Sequence, residues 1–124
     1  MRHTSDSSRR PKRLAEQIRQ VVTAFLQGEA RDPRIGLVTV TGVELTGDLQ
    51  RATVRFVVHG SDEQRAQTLE GLTAASAAIR RRLGDELHVR LVPEVIFEPD
   101  KGVEHAARIQ QLLAELKRPG GGAG

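Results

Sequence analysis

At 124 residues with no cysteine, 38% hydrophobic residues and three Phe as the only Phe, Tyr or Trp, the chain has the size of one domain; disulfide frameworks, thiolate metal sites and thiol catalysis are excluded. It is basic, with 19 Lys or Arg against 16 Asp or Glu, a net charge of +3 and an isoelectric point near 10.2. The N-terminus is polar and no apolar run approaches the ~18 residues of a membrane span, so a soluble, unexported, cytoplasmic protein is expected.

Residues 1–8 are Ser-rich without a period and residues 118–124 contain the run PGGGAG, so both are expected as flexible ends around a single domain at 9–117. Between Arg9 and Gln27, Leu14, Ile18, Val21, Val22, Phe25 and Leu26 form one stripe at ~100° per residue, which predicts an amphipathic helix stopped by Gly28. Arg9, Lys12, Arg13 and Arg19 gather opposite that stripe. Leu37 to Glu44, rich in Val and Thr, reads as a strand, and Thr46-Gly47-Asp48 as the turn before a second strand from Gln50 to His59. In the second strand Ala52, Val54, Phe56 and Val58 alternate with Thr53, Arg55, Val57 and His59, so one sheet face is buried and the other wet.

Ser61-Asp62-Glu63-Gln64 has the spacing of a capping box. The helix it opens carries Leu69, Leu72, Ser76, Ile79 and Leu83 on one face, with Gly84 as the expected stop. Val92 to Phe97 predicts a third strand, Pro93 near its start, that returns parallel to a hairpin strand. A last helix from Val103 to Leu116 is marked by Ile109, Leu112, Leu113 and Leu116. The order predicts an α+β domain, a three-stranded mixed sheet with helices on one face. With the apolar residues assigned to this core, no large surface patch is expected, and hence a monomer.

The charge is unevenly spread. Residues 1–31 hold seven Lys or Arg against three acids, while residues 94–104 hold four acids and one Lys. Clustered Arg is the electrostatic footprint of a phosphate backbone, with a solvated surface as the plain alternative. No phosphate loop, HExxH or Cys/His ligand spacing is present, His3, His59, His88 and His105 stand far apart, and Glu94, Glu98 and Asp100 read as a solvated edge. No cofactor or metal and no catalytic residue are therefore expected. With Phe25, Phe56 and Phe97 at core positions, base stacking is scarce, and any nucleic acid should be recognised by its phosphate backbone and shape. The candidate phosphate-binding residues are Arg9, Arg10, Lys12, Arg13 and Arg19 on the first helix and Arg80, Arg81 and Arg82 on the second; three successive helical positions span ~200°, which would draw one of the latter to the core boundary. Arg31 and Arg34, flanking Asp32-Pro33, are weaker candidates, and Asp32 reads as an Asx turn.

One ordered series spans roughly Arg9 to Leu116: Asp32-Pro33-Arg34 with Gly36, Val38-Thr39-Val40-Thr41, Val43-Glu44-Leu45, Asp48-Leu49 with Ala52 and Val54, Ile79-Arg80 with Leu83, then Arg90, Pro93, Glu94, Phe97 and Asp100, and Arg108-Ile109 with Leu112-Leu113. In that order they resemble the ribosome-binding factor A family of bacterial assembly factors. The resemblance implies a type II KH-like domain, with the middle helix kinked into two and a C-terminal helix added. No Gly-x-x-Gly loop lies between Leu69 and Gly84. In place of the family's Ala-x-Gly kink stands Ala75-Ser76-Ala77. Alanine favours an unbroken helix by about 1 kcal/mol over glycine, yet a straight helix from Asp62 to Leu83 would run ~33 Å, the width of such a domain, so a break is still expected. The resemblance further implies a non-enzyme that binds the free small (30S) ribosomal subunit and its 16S rRNA, assists late rRNA maturation including 5′-end processing, supports growth in the cold and works beside other assembly factors. The alternative is a stand-alone KH-like single-stranded RNA-binding protein; a small hydrolase has no nucleophile–base pair to argue from.

Overall fold

The computed structural model describes residues 2–117, with side chains described from Pro11 onward. In chain order the elements are α1 (Arg2–Gly28), β1 (Val38–Leu45), β2 (Arg51–Val58), α2 (Asp62–Glu86), β3 (Glu94–Pro99) and α3 (Lys101–Lys117). The period-2 pattern of β2 is realised fully: Ala52, Val54, Phe56 and Val58 are at most 3% exposed. A strand so buried on one face belongs in the middle of a sheet, and the order is β1-β2-β3. β1 pairs antiparallel with β2 through the hairpin, with an irregularity between Val40 and Gly42 that leaves Thr41 out of register. β3, separated from the hairpin by α2, pairs parallel with β2.

The buried face receives α1 and α2. Leu14, Ile18, Val22 and Phe25 of α1, spaced for one helical stripe, meet Leu72, Ile79 and Leu83 of α2 and Val40, Val95 and Phe97 of the sheet in a single cluster. Phe56 and Phe97 meet edge to face at its centre, ring centroids 6.2 Å apart. The three helices and mixed sheet are those predicted, but four details differ.

α1 begins at Arg2, not Arg9, because an apolar period cannot register a polar helical turn that runs on beyond the core. α2 is one hydrogen-bonded helix of 25 residues; the break expected at Ala75-Ser76-Ala77 is not there, and local alanine propensity has prevailed over the width argument. Nor does Gly84 stop it, since the helix continues to Glu86 and is closed by Leu87, whose N–H bonds Leu83 O at 2.8 Å while its side chain enters the core. α3 has no buried residue: Ile109, Leu112, Leu113 and Leu116 are 42–82% exposed, because α1 and α2 already fill the apolar sheet face. The ground for expecting no apolar surface patch is thereby removed.

Candidate nucleic-acid interface

The capping box sets where α2 starts. Ser61 Oγ accepts the Gln64 N–H at 3.2 Å and Gln64 Oε1 accepts the Ser61 N–H at 2.7 Å. From that start, with Leu72, Ile79 and Leu83 turned wholly inward, the helical phase puts Arg80, Arg81 and Arg82 all on the exposed side, and none lies at the core boundary. Their surroundings differ. Arg82 bridges Glu29 beyond the end of α1 (2.9 Å) and Glu86 one turn on (3.4 Å), so it is committed to joining the helices. Arg80 donates to the Val92 carbonyl at 3.1 Å, reaching from α2 to the segment before β3. Arg81 takes part in none of the ion pairs among the described residues.

Arg80 and Arg81 line a groove of about 490 Å³ between the second half of α2 and β3. Its apolar lining comes from Ala77, Gly84, Val92 and Val95, and Ser76 and Glu94 add polar groups. Ala75, the other residue of the expected kink, packs on the core instead. Sequence reasoning missed this groove. Its second wall arrives only when β3 is laid beside α2, and the usable signal was the pairing of an exposed Arg run with a strand that alternates Glu94, Val95, Ile96, Phe97. Arg90, two residues before Val92, is a further exposed cation that the charge reading passed over.

On α1, Lys12 and Arg13 are exposed and pair with no carboxylate among the described residues. Arg19 instead grips Glu16 with two bonds of 2.6 and 3.0 Å, which lower the pKa of the Glu16 carboxyl and raise that of the guanidinium. A phosphate would have to displace that carboxylate. The side chains of Arg9 and Arg10 lie outside the described residues. The two basic groups do not converge: Lys12 stands about 25 Å along the helix direction from Glu29, the residue that touches Arg82.

The segment between α1 and β1 is a clamp more than a contact. Asp32 Oδ1 accepts the Arg34 backbone N–H at 2.9 Å, the expected Asx turn, and its carboxylate takes the Arg34 guanidinium at 2.6 and 3.0 Å. These Arg34 bonds hold the Asp32 carboxyl down at about 2, and Arg34 is occupied. Arg31 is exposed and forms no ion pair with a described residue. Behind the turn, the fully buried Thr68 of α2 accepts from Gly36 N at 3.2 Å and donates to Arg34 O at 3.3 Å. One helical turn on, Gly71 is where Ile35 comes so close that a Cβ would lie 2.7 Å from its Cγ1.

No group of three His, Cys, Asp or Glu among the described residues is placed to hold a metal ion. His59 is engaged by Thr39 Oγ1 at 3.1 Å, and Glu94 faces Arg51 at 3.9 Å. No helix among the described residues is long and apolar enough to cross a membrane. What the arrangement offers is cations along an apolar groove and at the exposed N-terminal part of α1.

The sequence model described as ribosome-binding factor A matches residues 10–113. The chain belongs to the ribosome-binding factor A family. Ribosome-binding factor A of Geotalea daltonii is 40% identical over 111 residues, 90% of each chain. The crystal structure of ribosome-binding factor A from Thermus thermophilus superposes with a TM-score of 0.64 at 25% identity, covering 72% of this chain and 93% of that one. A homology model of the Thermus thermophilus ribosome-binding factor A, fitted into a cryo-electron-microscopy map of a 30S complex of that protein, gives a TM-score of 0.56 at 25% identity, over 68% and 88% of the two chains. The α+β fold expected from the family resemblance is thus the one shared with the solved Thermus thermophilus ribosome-binding factor A.

Proposed function

We propose that this chain is a non-catalytic assembly factor of the small ribosomal subunit, which docks on 16S rRNA late in maturation, supports processing of its 5′ end and sustains growth in the cold. The observation that carries the reading is the pairing of family membership with two sets of cations that the fold leaves exposed: Arg80 and Arg81 on the α2–β3 groove, and Lys12 and Arg13 on α1. Arginine beside an apolar groove suits a phosphate backbone lying across the surface. A protein without chemistry of its own acts on rRNA by binding one conformation more tightly than another, and moves that equilibrium only by the difference.

The test is co-sedimentation of the full chain with purified free small subunits, set beside binding to short unstructured RNA. Retention on subunits at salt concentrations that abolish binding to short RNA is expected, and replacing Arg80 and Arg81 together by Ala should weaken it. Equal affinity for both would favour a stand-alone single-strand binder, whose bases would enter the groove.

A further inference from the structure

The apolar residues of α3 face the wrong way for a core. At ~100° per residue, Ile109, Leu112, Leu113 and Leu116 fall within an arc of about 100°, while Val103, Glu104, Ala107 and Gln111 lie on the opposite side and line a cleft against the end of β2 and the start of α2. Three contacts hold this orientation. Asp100 caps the helix, Oδ1 accepting the Val103 N–H at 3.1 Å; its Oδ2 accepts the Thr41 hydroxyl at 2.6 Å; and Glu104 faces Arg65 at 3.9 Å. The stripe is therefore turned outward. An isolated helix of 17 residues is marginal in water, and four adjacent aliphatic side chains at 42–82% exposure call for a cover.

We propose that α3 pairs with α3 of a second copy of this chain, antiparallel about a two-fold axis. The charges beside the stripe choose this occupant. Arg108, which also lines the edge of that cleft, and Glu115 sit on one flank, seven residues apart, and neither takes part in an ion pair among the described residues. In the register that sets Ile109 against the second copy's Leu112, and Leu112 against its Ile109, Arg108 meets the second copy's Glu115 and Glu115 its Arg108. On the other flank Ala106 then faces the second copy's Leu113, small against large. Every pairing is repeated by the two-fold, so the surface complements itself. The overlap runs from His105 to Leu116, about 18 Å of helix, well short of the ~800 Å² per partner of a standard interface, so the dimer is weak and forms as concentration rises.

Sedimentation equilibrium of the full chain from about 1 μM to about 1 mM reads this directly, since that range spans about 4 kcal/mol of association free energy. A monomer–dimer equilibrium is expected. Leu112→Glu should raise its dissociation constant about tenfold or more, with circular dichroism confirming that the domain stays folded. Arg108→Glu and Glu115→Arg should each weaken the dimer, and the double reversal should restore it. A chain that is monomeric throughout overturns the proposal, as does association indifferent to Leu112→Glu. Failure of the double reversal to restore what each single reversal lost overturns the antiparallel register. Loss of small-subunit binding by Leu112→Glu in a chain that never self-associates would assign the stripe to the subunit instead.

Discussion

At the scale of single residues, the densest engineering lies where α1 hands over to β1. Thr68 is the one polar side chain of α2 that is fully buried, and both its hydrogen bonds go to the backbone of the Arg34–Gly36 turn. Thr68→Val keeps the shape and strands both backbone groups, so it should cost about 1–3 kcal/mol; urea denaturation with an unchanged slope is the check, and a loss below about 0.5 kcal/mol would show that the clamp is not needed. The neighbouring Asp32 makes the turn sensitive to acid. Its carboxyl is held at about 2, below the ordinary 3.8, by the Arg34 bonds, so the folded state prefers the ionised form more than the unfolded chain does. That advantage is complete above pH 4 and fades as pH falls from about 4 toward about 2. Asp32→Asn should lower stability at neutral pH and flatten its decline across that window, measured as urea midpoints at pH 7, 4, 3 and 2; parallel profiles would show that the pair contributes nothing.

At the scale of elements, α2 decides most. Its hydrogen bonding runs unbroken through Ala75-Ser76-Ala77, with Ser76 Oγ donating back to Leu72 O at 3.2 Å, a bond that Ser makes within helices without ending them. Ala77 is exposed and lies inside the continuous helix, so Ala77→Gly should destabilise by about 1 kcal/mol. A neutral or stabilising result in urea denaturation would mean that the helix breaks there in solution. Continuity has a functional consequence: one rigid element carries both the Thr68 clamp at its start and Arg80 and Arg81 near its end, so the groove wall is braced by the whole length of the helix.

For the whole molecule, the question is whether two separated basic groups act on one ligand. Lys12 and Arg13 stand about 25 Å from the contact between Glu29 and Arg82, a span that an RNA duplex or a fold of rRNA can bridge and a single nucleotide cannot. Replacing Lys12 and Arg13 by Ala, or Arg80 and Arg81 by Ala, should each reduce the log–log salt slope of small-subunit binding by about 1–2, and the two losses should add. A pair whose removal changes neither affinity nor slope lies outside the interface.

How much was legible in the sequence follows from how local each signal is. The hairpin alternation, the Ser61–Gln64 capping box, the Leu14–Phe25 stripe and the Asx turn at Asp32 depend on neighbours within a few positions, and all four are in the structure. The family series was legible for the same reason, as residue types in a fixed order, and the α+β fold it implied is the one observed, save that α2 is not divided in two. Boundaries set by polar residues, such as the start of α1 at Arg2, were not legible because the apolar period is silent there. Among the candidate cations, charge alone could not tell Arg82 and Arg34, spent on Glu29, Glu86 and Asp32, from Arg80 and Arg81, which line the groove. The α3 stripe shows the limit most plainly. Periodicity established that Ile109, Leu112, Leu113 and Leu116 share a face, but only the tertiary structure, with α1 and α2 already filling the single apolar face of a three-stranded sheet, decided that this face points away from the core.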